Sequence, residues 1–135
     1  MSDARTLIAR HNLTPHPEGG WYRETWRALA GPGERAAGTA ILFLLEQGQS
    51  SHWHKVDADE LWLWHAGAPL ALKIGANTLV LDAAAPQALV AAGEWQAAHA
   101  EAGWVLVSCV VVPGFEFTGF TLAPPHWSPI DAQSD

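Results

Sequence analysis

A chain of 135 residues with 49% hydrophobic residues and a formal net charge of -7 has room for one hydrophobic core and not for two ordinary domains. Its seven Lys and Arg never cluster, so the positive patch that a nucleic acid or an anionic membrane needs is not written in it; a small-molecule ligand is the better expectation. No apolar run approaches a membrane span and MSDARTLIARHNL lacks the apolar core of a signal peptide, which points to a cytoplasmic protein, while only 16% charged residues points to surface covered in a homodimer.

In chain order, residues 3–12 (DARTLIARHN) place Leu7 and Ile8 on one side of a short helix, which the prolines and glycines of TPHPEGG end. It reads as a cap and not as a core helix. WYRETWRA then alternates Trp21, Arg23 and Thr25 with Tyr22, Glu24 and Trp26, a half-buried strand whose two faces the sequence does not rank. After the loop GPGERAAG come TAILFLLEQ, the turn GQS, SHWHKV, a tight DAD tip, ELWLWHAG and PLALKI. NTLVLD, QALVAA, EWQAAHA, WVLVSCVVV and FEFTGFTLA bring the count to about nine or ten short strands, the pattern of an antiparallel sandwich or barrel. The final PPHWSPIDAQSD reads as a Pro-rich tail, frayed beyond Ile130, with Trp127 as an anchor. The single cysteine, Cys109, lies in an apolar run and reads as a small buried hydrophobe.

The stretch SSHWHKVDADELW concentrates the chemistry. Side chains alternate along a strand, so His52 and His54 are expected on one face, with Glu60 returning toward them from the next strand. Two imidazoles and a carboxylate suit Fe(II), Mn, Ni or Zn. The same His54 and Glu60 equally suit a general base that removes a proton next to a carbonyl, and the plain alternative is that they only hydrogen-bond within a half-buried sheet. Trp62 and Trp64 share the face of Glu60 and are expected to wall a ligand pocket; His65 takes the opposite face. Gly19 and Gly20 in HPEGG are explained by a turn, since no P-loop lysine follows.

The order Gly48, His52, His54, Glu60, Gly67 resembles the first motif of the cupin superfamily, with five residues between His54 and Glu60. In the second motif Ala91 stands for a proline, Gly93 is in register, and Gln96 takes the place of a further histidine ligand. More specifically, HPEGGWYRETWR, TAILFLL, SHWHKVDADELWLWHAGAPL, VAAGEWQAA and VVPGFEFTGFTL resemble the cupin_5 (DUF985) family of the RmlC-like cupins, over most of the chain. That resemblance implies an all-β fold, a double-stranded β-helix (jelly-roll) barrel with a short N-terminal helix. It divides one cupin domain, 1–135, into a helix and lead-in (1–17), the barrel (18–123) and a tail (124–135).

It also implies a small carbohydrate-like or carboxylate-bearing ligand, and carries the pocket onto particular residues. His54, Glu60 and Tyr22 are the candidate catalytic groups of an epimerase or isomerase, Tyr22 returning the proton from the other face. Arg23, Glu24, Trp62, Gln96, Phe115 and Glu116, with Trp64, are candidate ligand contacts. The Arg23 fork suits a carboxylate or phosphate, or else an ion pair with Glu24 or Glu116. A metal-dependent, oxygenase-like enzyme using a divalent transition metal on His52, His54, Glu60 and Gln96 is the second reading, with the Gln96 carbonyl a weaker ligand than imidazole. A non-catalytic binding module is the third.

Overall fold

The structure is a computed structural model that describes residues 3–129; the expected fraying beyond Ile130 falls outside the described residues. One α-helix, α1 (Ala4–His11), precedes eleven strands: β1 (Thr14–Pro15), β2 (Trp21–Arg27), β3 (Thr39–Leu45), β4 (Ser50–Val56), β5 (Asp59–Gly67), β6 (Leu70–Ile74), β7 (Asn77–Leu81), β8 (Gln87–Val90), β9 (Gln96–His99), β10 (Val105–Val112) and β11 (Phe120–Leu122). They form two antiparallel sheets, ordered β1-β2-β3-β10-β5-β8 and β11-β4-β9-β6-β7. Most of the strands lie where alternation and turn residues place them. FEFTGFTLA differs: a 3-10 turn, Phe117–Gly119, leads into the short β11. There the backbone passes so close to Asp57 that a Cβ on Gly119 would collide with the Asp57 carboxylate.

The sheets do not close into a barrel, and the jelly-roll expectation is corrected accordingly. Among the described residues each sheet keeps two free edges, β1 and β8 in one, β11 and β7 in the other. Closure needs every edge strand hydrogen-bonded to another, and three of these edges have only two, four and three residues (β1, β8, β11). Nor does α1 stand apart as a lead-in to a barrel. It docks on the outer face of the six-stranded sheet, where Ala4 and Leu7 bury against Leu44 and Leu106. Asp3 caps its start by accepting from the Thr6 N–H at 2.8 Å, and Asn12 in the left-handed region ends it.

Period-two patterning decides which side chains enter the space between the sheets. Phe43 and Leu45 of β3, Trp62 of β5, and Val105 and Val107 of β10 point inward and meet Leu70 and Leu72 of β6 and Ala98 of β9. The intervening Leu44 and Leu106 point outward to α1. Each fully buried leucine contributes about 2 kcal/mol of apolar burial, so this inner cluster is the main stabiliser of the sheet pair. It fills one end of the intersheet space. The other end carries the polar residues. No helix among the described residues is long and apolar enough to cross a membrane.

Candidate functional site

Above the apolar cluster the sheets enclose a cavity of about 670 Å³. His16, Glu18, His54, Glu60 and Cys109 border its deep part; Tyr22, Glu24, Arg27, Phe115 and Phe117 border its outer part. Among the described residues every buried side-chain nitrogen and oxygen has a hydrogen-bond partner, which constrains the protonation of the polar groups strongly.

Glu18 reaches the cavity because of the HPEGG loop. Gly19 and Gly20 both have positive φ, 105° and 85°, and a Cβ on Gly19 would collide with the Ser50 carbonyl. Two glycines therefore let the loop lie directly against β4. A bulge in β4 receives it: Ser51 pairs with Ala98 but His54 with Gln96, one extra residue on the β4 side. The freed His52 N–H donates to the Glu18 carbonyl at 2.7 Å. The Glu18 carboxyl is then flanked on three sides. Ser51 Oγ donates to its Oε2, His54 Nε2 lies 3.5 Å from the same oxygen, and His16 Nδ1 lies 3.3 Å from Oε1. Burial pushes this carboxyl up to about 8, with the Ser51 hydrogen bond pulling the other way.

The tautomers follow from the fixed donors. His16 Nδ1 accepts the Glu18 N–H at 3.1 Å, which leaves the proton of neutral His16 on Nε2. Burial first, then the neighbouring His54, pushes His16 down to about 4. His54 Nδ1–H donates to the His52 carbonyl at 2.7 Å, so neutral His54 turns an unprotonated Nε2 toward Glu18. Burial lowers the His54 pKa, and the nearby Glu60 opposes that shift. Glu60 is itself raised, mainly by burial. Its Oε1 accepts from Gln96 Nε2 at 2.9 Å, and the Cys109 thiol is hydrogen-bonded to it.

The structure brings His54, Glu60, Tyr22, Glu24, Phe115 and Glu116 to one cavity. The Tyr22 ring sits edge-on to His16, centroids 4.4 Å apart. Gln96 and Trp62, both 1% exposed, lie behind the cavity and support Glu60 from there. The tryptophan walls expected from Trp62 and Trp64 are absent: neither borders the cavity, and Trp64 Nε1 donates to the Ala68 carbonyl at 3.0 Å. Phe115 and Phe117, in ring contact with each other and with Phe120 behind them, supply the aromatic surface instead. Arg23 reaches the cavity margin with its Nε donating to the His11 carbonyl at 2.7 Å. Its expected ion pairs are taken by others, Glu24 by Arg27 at 2.7 Å and Glu116 by Arg35 at 3.5 Å.

His52 and His54 do not share a face. The bulge turns Ser51 inward in place of His52, whose Nε2 lies 2.9 Å from the Pro124 carbonyl outside the cavity. Sequence reasoning missed His16, Glu18 and Ser51. The available signal was a carboxylate and an imidazole held in a loop with two glycines, which a turn alone leaves unexplained.

Residues 5–123 match the family profile described as "Cupin superfamily (DUF985)", Cupin_5. The chain belongs to this family. A Shewanella oneidensis protein of known structure is 37% identical to this cupin, with a TM-score of 0.84 over 91% of this chain and 85% of that one. A Leishmania major protein is 30% identical, with a TM-score of 0.80 over 90% and 88%. A cupin-2 domain from Rhodospirillum rubrum, 14% identical with a TM-score of 0.63 over 90% and 76%, shares the fold. No curated protein matches the chain.

The residues of this cupin do not fit a metal centre. Among the described residues no three His, Cys, Asp or Glu side chains form a group that could hold a metal ion. His52 is turned out of the cavity. Gln96 uses its carbonyl to accept from Trp62 Nε1 at 2.8 Å and faces Glu60 with its NH₂, a donor that cannot ligate.

Proposed function

We propose that this chain, as a single cupin domain, binds a small carbohydrate-like or carboxylate-bearing molecule in the cavity and moves a proton next to its carbonyl group, the chemistry of an isomerase or epimerase. The observation that carries this reading is His54 itself. Its Nδ1–H is fixed on the His52 carbonyl, its Nε2 is unprotonated, and burial keeps it so near neutral pH. A neutral imidazole with one fixed tautomer at the end of a cavity is a general base. Glu60 stabilises the imidazolium that forms, and Tyr22 stands beside His16 as a second proton donor. Phe115 and Phe117 offer the apolar surface on which a sugar face packs, and Arg27 and Glu24 at the margin offer polar contacts.

The test uses glyceraldehyde, fructose and glucuronate as probes in D₂O. Binding is followed by amide NMR shifts at Tyr22, His54 and Phe115, and proton transfer by deuterium uptake at the carbon next to the carbonyl. Uptake that falls about a hundredfold or more in His54→Gln supports catalysis. Probes that bind at these residues without uptake would make the chain a binding module, a role suited to a Glu60 whose partners are already complete.

A further inference from the structure

We propose that Glu18 is a further catalytic residue, acting in place of Tyr22 as the acid that pairs with the base His54, and that the substrate is an α-hydroxyaldehyde or α-hydroxyketone whose proton is moved along one face. This inference rests on the proton-transfer reading above and names its acid and its substrate class.

Glu18 borders the cavity, with its Oε2 3.5 Å from His54 Nε2. The two groups therefore address neighbouring atoms of one bound molecule. The Ser51 hydroxyl donates to Oε2 and His16 Nδ1 lies 3.3 Å from Oε1, and the loop is pinned by the His52 N–H. A carboxyl held in place by the loop and by Ser51 can gain and lose a proton without moving. The raised pKa of Glu18 agrees with a carboxylic acid that still holds its proton near neutral pH.

In the forward step the C–H bond next to the carbonyl breaks and its proton goes to His54 Nε2. The electron pair of that bond forms the C=C of an enediol, while the carbonyl oxygen takes the Glu18 proton. In the return step His54 delivers its proton to the adjacent carbon, and the neighbouring hydroxyl proton goes back to the Glu18 carboxylate. The hydroxyl becomes the new carbonyl, and neither oxidant nor reductant is consumed. Because Glu18 and His54 lie side by side, removal and return occur on the same face, which is isomerisation between aldehyde and ketone.

The experiment compares deuterium uptake and aldehyde–ketone conversion of glyceraldehyde and fructose by the intact chain and by Glu18→Gln, Glu18→Asp and His54→Gln. Glu18→Gln keeps the shape of the protonated acid, and Glu18→Asp serves as the second variant should the first fail to fold by circular dichroism. Expected is a loss of about a hundredfold or more in both Glu18→Gln and His54→Gln, with partial activity in Glu18→Asp and probe binding by NMR retained in Glu18→Gln. Uptake unchanged in the Glu18 variants but lost in His54→Gln overturns the role of Glu18 and leaves the general reading standing. Absence of uptake in the intact chain overturns both.

Discussion

Trp62 donates its indole N–H to the carbonyl of Gln96 at 2.8 Å, and that bond sets the direction of the amide. Indole can only donate, so the amide oxygen must face it and the NH₂ must face Glu60. Replacing Trp62 by Phe leaves the buried Gln96 carbonyl without this donor, and a loss of about 1–3 kcal/mol in urea unfolding is expected. A change below about 0.5 kcal/mol would show that the amide turns freely.

The same orientation bears on metals. Purified protein titrated with Fe(II), Mn, Ni or Zn is expected to show no saturating rise in melting temperature. A rise that saturates at one equivalent and disappears in His54→Gln would mean that Gln96 or His52 rearranges to complete a ligand set.

Stability should depend on pH through groups of opposite sign, Glu18 and Glu60 raised and His16 and His54 lowered, of which Glu18 and His16 set the clearest limits. Glu18 is pushed up to about 8 from 4.5, so the folded chain holds a proton that the unfolded chain releases. That contribution is complete below 4.5 and is lost as pH rises through about 8. His16 is pushed down to about 4 from 6.5, so its contribution is complete above 6.5 and is lost as pH falls through about 4. At about 1.4 kcal/mol per unit, each limb amounts to a few kcal/mol. Unfolding free energies measured from pH 4 to 9 should show a smaller alkaline decline in Glu18→Gln, the remainder belonging to Glu60, and keep the acid one; an unchanged alkaline limb would assign it to another group.

Ser51→Ala removes the hydrogen bond that favours the Glu18 carboxylate. The Glu18 pKa should therefore rise further, read by carboxyl carbon NMR across the same pH range. A fall would mean that the hydroxyl accepts from Glu18 and does not donate to it.

Gly19→Ala places a methyl against the Ser50 carbonyl at a positive φ. The loop must then lift from β4. We expect a lower melting temperature and a perturbed Glu18 carboxyl signal, with the amide shifts of Leu70 and Leu72 little changed. Large shifts at those core residues would show that the loop and the core form one cooperative unit.

Strand positions were legible because apolar alternation and Gly, Pro or Asp turns recur along TAILFLL, ELWLWHAG and WVLVSCVVV. His54 and Glu60 were legible for the same reason, each on a patterned strand. What strand periodicity does not encode is an offset. The β4 bulge reverses the expected face of Ser51 and His52, and no residue type in SSHWH marks it. Trp62 and Trp64 share a side of β5 with Glu60, yet distance along the strand takes both tryptophans below the cavity into the packed end. Closure into a barrel depends on how far edge strands pair, a long-range property that local patterning leaves open. The loop acid Glu18 was hidden because turn chemistry explains the glycines without asking what they hold in place.

The bulge in β4 has a wider meaning for reading motifs. With strict alternation the letters SSHWH would present two imidazoles to the interior; with one extra residue they present a hydroxyl and one imidazole, and the hydroxyl serves Glu18. Two chains with identical letters here would differ in what they offer a ligand if their strands differed in phase. The phase of a strand is thus a chemical variable in its own right, able to turn the same five residues from two imidazoles on one face into one imidazole beside a hydroxyl that serves a loop carboxyl.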